Sequence, residues 1–168
     1  MKIIIRDERL EDIPAIAELT RAAFQNADHS SHTEQFIVNA LRKHGQLTIS
    51  LVALEHNQLV GHVAISPVSI SSGETGWYGL GPISVLPAKQ GQGIGTLLLQ
   101  AALDRLQNLG AEGCVVLGDS QYYGRFGFKA FSELYLKDVP PEYFQVIAFN
   151  GSIPHGEVVY HEAFNATQ

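Results

Sequence analysis

The chain has 168 residues and a formal net charge of -6, with 45% hydrophobic and 17% charged side chains, which is the size and composition of one soluble domain with a single core. No stretch reaches the roughly 18 uninterrupted apolar residues of a membrane span. The acidic balance argues against holding nucleic acid by its phosphates, and the lone Cys114 excludes an internal disulfide. The run from Met1 to Asp7 meets charges before a signal-peptide core can form, so the expected compartment is the cytoplasm, with neither membrane nor nucleic acid as a partner.

Ile3-Ile4-Ile5 reads as a first strand. Ile13, Ile16, Ala17, Thr20, Ala23 and Phe24 then recur at helical spacing, which predicts a helix over 11–24 with Pro14 in its first turn. A polar, His-rich segment from Asn26 to Thr33 leads to Glu34, which opens a second helix beside a Thr33 cap and runs toward Gly45. Ile49 to Leu54 and Leu59 to Ile65 form a predicted hairpin about His56-Asn57-Gln58, and Ser71-Ser72-Gly73 marks the next turn. Trp77 to Val85 is a strand made irregular by Gly79, Gly81 and Pro82. After the glycine run, Ile94, Leu98, Ala102, Leu106 and Leu109 trace a helical stripe that stops at Gly110. Gly113 to Leu117 is a buried strand, Ser120 to Phe126 a short helix or turn, and Glu157 to His161 a late strand. No repeat or long linker intervenes, so residues 1–168 are expected to form one α/β domain. Pro140-Pro141 and the apolar tail through Phe164 suit either that core or the edge of a homodimer.

Gln90, Gly91, Gln92, Gly93, Ile94, Gly95 and Thr96 lie between a strand and a helix, where unpaired N–H groups and the positive end of the helix dipole converge. Glycines there let the backbone approach an anion closely, although a tightly packed helix entry has the same composition. No Lys directly follows a glycine, so this is not a phosphoryl-transfer P-loop. Thr96 stands where a dinucleotide fingerprint needs its third glycine, and the loop lies past the middle of the chain, which excludes that reading too.

Gln90, Gly93 and Gly95 resemble the signature of the GNAT superfamily of acetyl-CoA-dependent N-acetyltransferases: Gln or Arg, two residues, Gly, one residue, then Gly or Ala. About thirty residues on, Tyr122-Tyr123-Gly124-Arg125-Phe126-Gly127-Phe128 resembles the family segment in which a Tyr precedes Gly-Phe. Together with Gly79 to Pro82 the likeness points to a bacterial subfamily. It implies a mixed, mostly antiparallel sheet with helices on its faces and two splayed parallel central strands, Trp77 to Val85 and Gly113 to Leu117, between which acetyl-CoA lies. It also implies that backbone of Ile83 and Val85 meets the pantetheine and thioester, that Val85 N–H stabilises the oxyanion, that Gln90 to Thr96 hold the pyrophosphate, and that Tyr123 and Phe126 border the cofactor. The acetyl acceptor would be a small-molecule or peptide amine, taken by direct attack in a ternary complex.

Acyl transfer to an amine needs a neutral nucleophile and a protonated leaving thiolate. Tyr123 is the matched donor, since a phenol can give a proton to sulfur, with Tyr122 as its neighbouring alternative. Many relatives carry a carboxylate on the strand before the loop, whereas this chain has Leu80, Gly81, Pro82, Ile83 and Ser84. Glu34 is therefore the candidate base, with His29 and His32 behind it, each also readable as a solvated surface residue. A non-catalytic acyl-CoA-binding module is the competing reading, and the missing carboxylate favours it. His29 and His32 have only Asp28 and Glu34 beside them and no HExxH pattern, so no metal is expected. Cys114 sits among Val115, Val116 and Leu117, which says buried and inert rather than an acetyl carrier. Trp77 and Tyr78 read as core residues of the sheet.

Overall fold

The computed structural model describes residues 2–27 and 30–168. Among them the elements run β1 (Ile3–Asp7), α1 (Ile13–Phe24), α2 (Glu34–Lys43), β2 (Ile49–Glu55), β3 (Gln58–Ile70), β4 (Trp77–Val85), α3 (Ile94–Asn108), β5 (Gly113–Leu117), α4 (Ser120–Gly124), β6 (Leu134–Tyr135), β7 (Phe144–Ala148) and β8 (Gly156–Tyr160). The fold is α/β, with a mixed sheet of eight strands in the order β1-β2-β3-β4-β5-β7, and with β8 joined to β3 and β6. The chain divides into two compact units: Met1–Ser66, Gly81–Leu103 and Glu162–Gln168 make the first, Pro67–Leu80 and Asp104–His161 the second.

In the first unit β1 and β2 pair antiparallel from Ile3↔Glu55 to Asp7↔Leu51, and β2 pairs antiparallel with β3. The turn between β2 and β3 is two residues long, His56 and Asn57, both left-handed at φ 51° and 64°, the backbone that a tight hairpin of right-twisted strands demands. Pro14 lies in the first turn of α1, where its missing N–H leaves no bond unmade. Ile16 of α1 and Val38 of α2 pack on Val52 of β2. On the opposite face of this part of the sheet, a Cβ at Gly61 of β3 would stand 2.9 Å from Leu98 and 3.1 Å from Ile94, so glycine there lets α3 approach the strand. Two sheet faces are thus covered by helices. The tail closes on the core: Ala163 and Phe164 pack with Ile37 and Leu41 of α2.

In the second unit β4 and β5 are parallel over Trp77↔Gly113 to Gly79↔Val115, β5 pairs antiparallel with β7, the end of β3 with β8, and β8 parallel with β6. Its core gathers Trp77, Val115, Leu134, Phe144, Val146 and Val158. A Cβ at Gly113 would overlap the Trp77 ring, so the indole packs against β5 only because that position is glycine.

Apart from shifts of one or two residues at the ends of α1, α4 and β8, the structure departs from the sequence expectations as follows. β3 continues past Ile65 to Ile70. β6 and β7 were not anticipated. Leu109 is half exposed, whereas Leu99 and Leu103 join Ile94, Leu98, Ala102 and Leu106 in the core. Thr33 precedes α2, but its hydroxyl makes no capping bond and meets Ser31 Oγ at 2.5 Å instead.

Candidate active site

The glycine loop lies in the first unit. Gly91 and Gly93 have φ of 78° and 86°, a region that disfavours any side chain, and a Cβ built on either meets nothing within 4 Å. Packing therefore does not require these glycines. They leave open space over a backbone turn that leads into α3, the cradle a phosphate needs. Ile94 is 1% exposed and anchors the helix start, while Gly95 and Thr96 fall in the first turn of α3 and Gln92 is exposed. Leu97 N–H donates to the Gly93 carbonyl at 3.1 Å, so the helix ladder begins inside the loop. Gln90 donates its amide to the Val85 carbonyl at 3.1 Å and ties the loop to the end of β4.

Along that end of β4, Leu86 N–H donates to the Val60 carbonyl of β3 at 3.0 Å. Successive backbone groups on a strand alternate sides, so residues 84 and 86 face β3 while the N–H and C=O of Ile83 and Val85 turn away from it. Of these groups, the Val85 carbonyl accepts from the Gln90 side chain. The expected irregularity is present as φ 135° at Gly81 and a cis Gly81-Pro82 bond.

Tyr123 lies in the second unit on α4. Asp119 caps this turn, accepting from Gln121 N–H at 3.0 Å on its carboxylate and from Tyr123 N–H at 3.0 Å on its carbonyl. The Tyr123 ring stands edge-on to Tyr122 at 5.0 Å and to Phe128 at 5.8 Å, and it packs so closely on Gly118 that a Cβ there would collide with it. Burial pushes its hydroxyl up to about 12, with Tyr122 and Cys114 adding to the shift, so at neutral pH it is a proton donor only. Tyr122 differs: Arg125 lies over its ring at 4.7 Å and Phe126 packs against it at 5.7 Å. Gly118 and Asp119, which position Tyr123, carry no signal in the sequence beyond a Gly-Asp turn after a strand.

Glu34 opens α2, half-buried, and both its carboxylate oxygens lie within reach of the Ser30 hydroxyl, at 2.8 and 2.7 Å. His32 is exposed, in a left-handed conformation of φ 60°, with its N–H on Ser30 Oγ. His29 and Asp28 lie outside the described residues. Among the described residues no three His, Cys, Asp or Glu side chains are grouped to hold a metal. Cys114 is fully buried, and burial drives its thiol well above the ordinary value, which removes it as an acetyl carrier.

Sequence reasoning missed a polar row in the first unit. Glu8 receives Arg42 through Nε at 2.8 Å and Nη2 at 2.7 Å, and Ser50 Oγ donates to it at 2.6 Å. Ser50 Oγ lies 2.8 Å from His62 Nε2, and His62 is 0% exposed. Burial depresses the His62 imidazole to about 4, against the pull of the Glu8 charge.

The Acetyltransferase (GNAT) family matches residues 13–128, so the chain belongs to the GNAT family of acetyltransferases. Over 97% of its length it is 37% identical to YhbS of Escherichia coli K12, described as an uncharacterized N-acetyltransferase, covering 99% of that protein. Two solved structures share the fold throughout. A GNAT family acetyltransferase from Brucella melitensis in complex with acetyl-CoA superposes with a TM-score of 0.87 at 50% identity, over 97% of this chain and 98% of that one. Escherichia coli YhbS in complex with CoA superposes with a TM-score of 0.88 at 34% identity, over 100% and 94%.

Proposed function

We propose that residues 1–168 form one N-acetyltransferase domain that moves the acetyl group of acetyl-CoA to a primary amine within a ternary complex. The observation that carries this reading is the open, left-handed cradle at Gly91 and Gly93, tied by Gln90 to the Val85 carbonyl at the end of a strand whose Ile83 backbone and Val85 N–H turn away from β3. It fits a pyrophosphate followed by a chain of amides, and the Brucella and Escherichia relatives hold acetyl-CoA and CoA. Gln90 to Thr96 take the pyrophosphate on backbone N–H groups at the α3 N-terminus. Val85 N–H bonds the thioester oxygen as it becomes negative, a contribution of roughly 3 kcal/mol to the barrier. Phe126 borders the pantetheine, and Tyr123 gives its proton to the departing sulfur. Glu34 takes the proton that converts the ammonium to the attacking amine, with His32 second in line.

The chemistry requires an unhindered nitrogen, so small polyamines, amino acids, amine antibiotics and peptide N-termini are the acceptors to try, the net charge of -6 favouring cationic ones. Incubating the protein with acetyl-CoA and each amine while following thiol release tests the reading. Amine-dependent release supports it. Tight CoA binding with no release for any amine would make the chain an acyl-CoA-binding module instead.

A further inference from the structure

The chain that enters the glycine loop is bonded to the sheet of the first unit. Leu86 N–H donates to the Val60 carbonyl of β3 at 3.0 Å, and Lys89 N–H closes a tight turn on the Leu86 carbonyl at 2.8 Å. The Lys89 side chain reaches further, to β2, where its Nζ lies 2.7 Å from Glu55 Oε1. Glu55 is the last residue of β2 and is held from both sides, opposite Ile3 of β1 and Gln58 of β3. Its backbone is therefore a fixed point. The bond to Lys89 holds the Glu55 carboxyl below its ordinary value, so it stays a carboxylate at neutral pH.

The far end of the loop returns to the same sheet face. Side chains alternate along β2, and because Val52 and Leu54 pack with α1 and α2, Ala53 and Glu55 face the other side. Ala53 stands opposite Gly61, the position whose missing Cβ admits Ile94 and Leu98 of α3. Gln90 to Gly93 thus run between two anchors on one face of the β2–β3 hairpin, Lys89 on Glu55 and Ile94 on Gly61. A Cβ at Gly91 or Gly93 meets nothing within 4 Å, so the path of the loop is set from its ends.

The Glu55–Lys89 pair is a poor device for stability alone. Glu55 is 8% exposed, and desolvating two charges cancels much of their attraction, so an apolar pair would hold the fold equally well. What the ion pair adds is direction, since a charge-assisted N–H···O bond fixes where the Lys89 side chain and its turn can lie.

We infer that Glu55 is a positioning residue for coenzyme A: acting through Lys89, it fixes the entry of the glycine loop so that the N–H groups of Gln90 to Thr96 converge on the pyrophosphate. This rests on the acetyltransferase reading. Charge alone would act with the opposite sign. An acid beside an anion site repels the anion, so by Coulomb's law its removal would tighten phosphate binding. Removing a positioning acid loosens the loop and weakens binding instead.

The test uses the full-length protein, with CoA in calorimetry and with acetyl-CoA and the amine of fastest thiol release in steady-state kinetics. Glu55→Leu should weaken CoA and raise the KM for acetyl-CoA about 2- to 30-fold, while kcat at saturating acetyl-CoA and the KM for the amine hold. Lys89→Met should lose a similar factor, and the double variant no more than either single one, because the same link is cut. Lys89→Arg keeps the ion pair and should bind CoA as the wild type does. Unchanged or tighter CoA binding in Glu55→Leu, losses that add in the double variant, or a fall in kcat at constant KM would each overturn the positioning role while leaving acetyl transfer intact. Glu55→Gln keeps the side-chain volume and removes the charge; it should shift CoA affinity in the same direction and decides the matter if Glu55→Leu does not fold. Should the wild type bind CoA but acetylate no amine, calorimetry still decides the role of Glu55; should it not bind CoA, the acetyltransferase reading falls and the positioning role with it.

Discussion

Replacing Gly93 by Ala separates a phosphate cradle from a mere helix entry, because the structure fixes the folding cost in advance. The built Cβ meets nothing within 4 Å, so no clash term applies, and the only penalty is a left-handed φ of 86°. That costs an L-residue about 1–2 kcal/mol, or a fall in melting temperature of about 2–8 °C for a chain of this size. Gly110 provides a matched control: φ 82°, equally open around its Cβ, and placed after the C-terminal end of α3. Gly110→Ala should lose the same stability. CoA affinity should part the two. If the loop holds the pyrophosphate, the methyl in Gly93→Ala occupies the anion's place and removes at least one charge-assisted N–H bond worth about 1.5–3 kcal/mol, which weakens CoA about 10- to 150-fold by calorimetry. Equal CoA affinity in the two variants, both folded, would refute the cradle and leave the glycines as turn formers.

Tyr123→Phe keeps the ring between Tyr122 and Phe128 and removes one proton, so CoA binding should persist while kcat falls about a hundred- to ten-thousandfold; a normal rate there with a slow Tyr122→Phe would move the role by one residue. Gly118→Ala places a methyl against the Tyr123 ring, so it should lower kcat well beyond any change in CoA affinity, measured in the same steady-state and calorimetric assays. His62 should give the fold an acid-sensitive step: its imidazole is depressed from 6.5 to about 4, so between those values the unfolded chain binds more protons and stability falls with acidification. The whole step is about 3 kcal/mol, and urea titrations at neutral pH and near pH 5 should show about 2 kcal/mol of it, absent in His62→Gln. The Glu8 carboxyl, which burial raises and the Arg42 and Ser50 bonds more than offset, contributes stability lost only at lower pH.

Where one strand carries its own pattern, the sequence reveals it to the residue. β4 and β5 begin and end where expected because turn residues bound apolar runs on both sides. β7 escapes that reading because Gln145 interrupts it, and only the fold shows why a glutamine is buried there: its amide donates to the carbonyls of Gly118 and Glu142. β6 is two residues long, too short for any period. β3 outruns its expected end because Pro67 looks like a terminator, yet the strand continues to Ile70 and pairs there with β8. The helical stripe fails at Leu109 for a different reason. α3 ends at Asn108, so Leu109 lies past the helix and outside its periodicity, while Leu99 and Leu103 in the adjacent column join the core.

The candidate site divides along the same line. Gly91, Gly93 and Gln90 act through local backbone geometry, which spacing reveals, whereas Ser50 and His62 acquire meaning only from partners 42 and 12 residues away. β4 lacks the carboxylate that many relatives carry before the glycine loop, and that absence has an electrostatic consequence. A charged carboxylate beside the thioester would take the amine proton directly, but its field would oppose the negative charge proposed to develop at the Val85 N–H. In the proposed reaction, Leu80, Gly81, Pro82, Ile83 and Ser84 place no charged side chain on this stretch of β4. On this reading the uncharged run Leu80 to Ser84 is a condition of the chemistry, and introducing an acid there, as in Ile83→Glu, should slow acetyl transfer rather than restore a missing base.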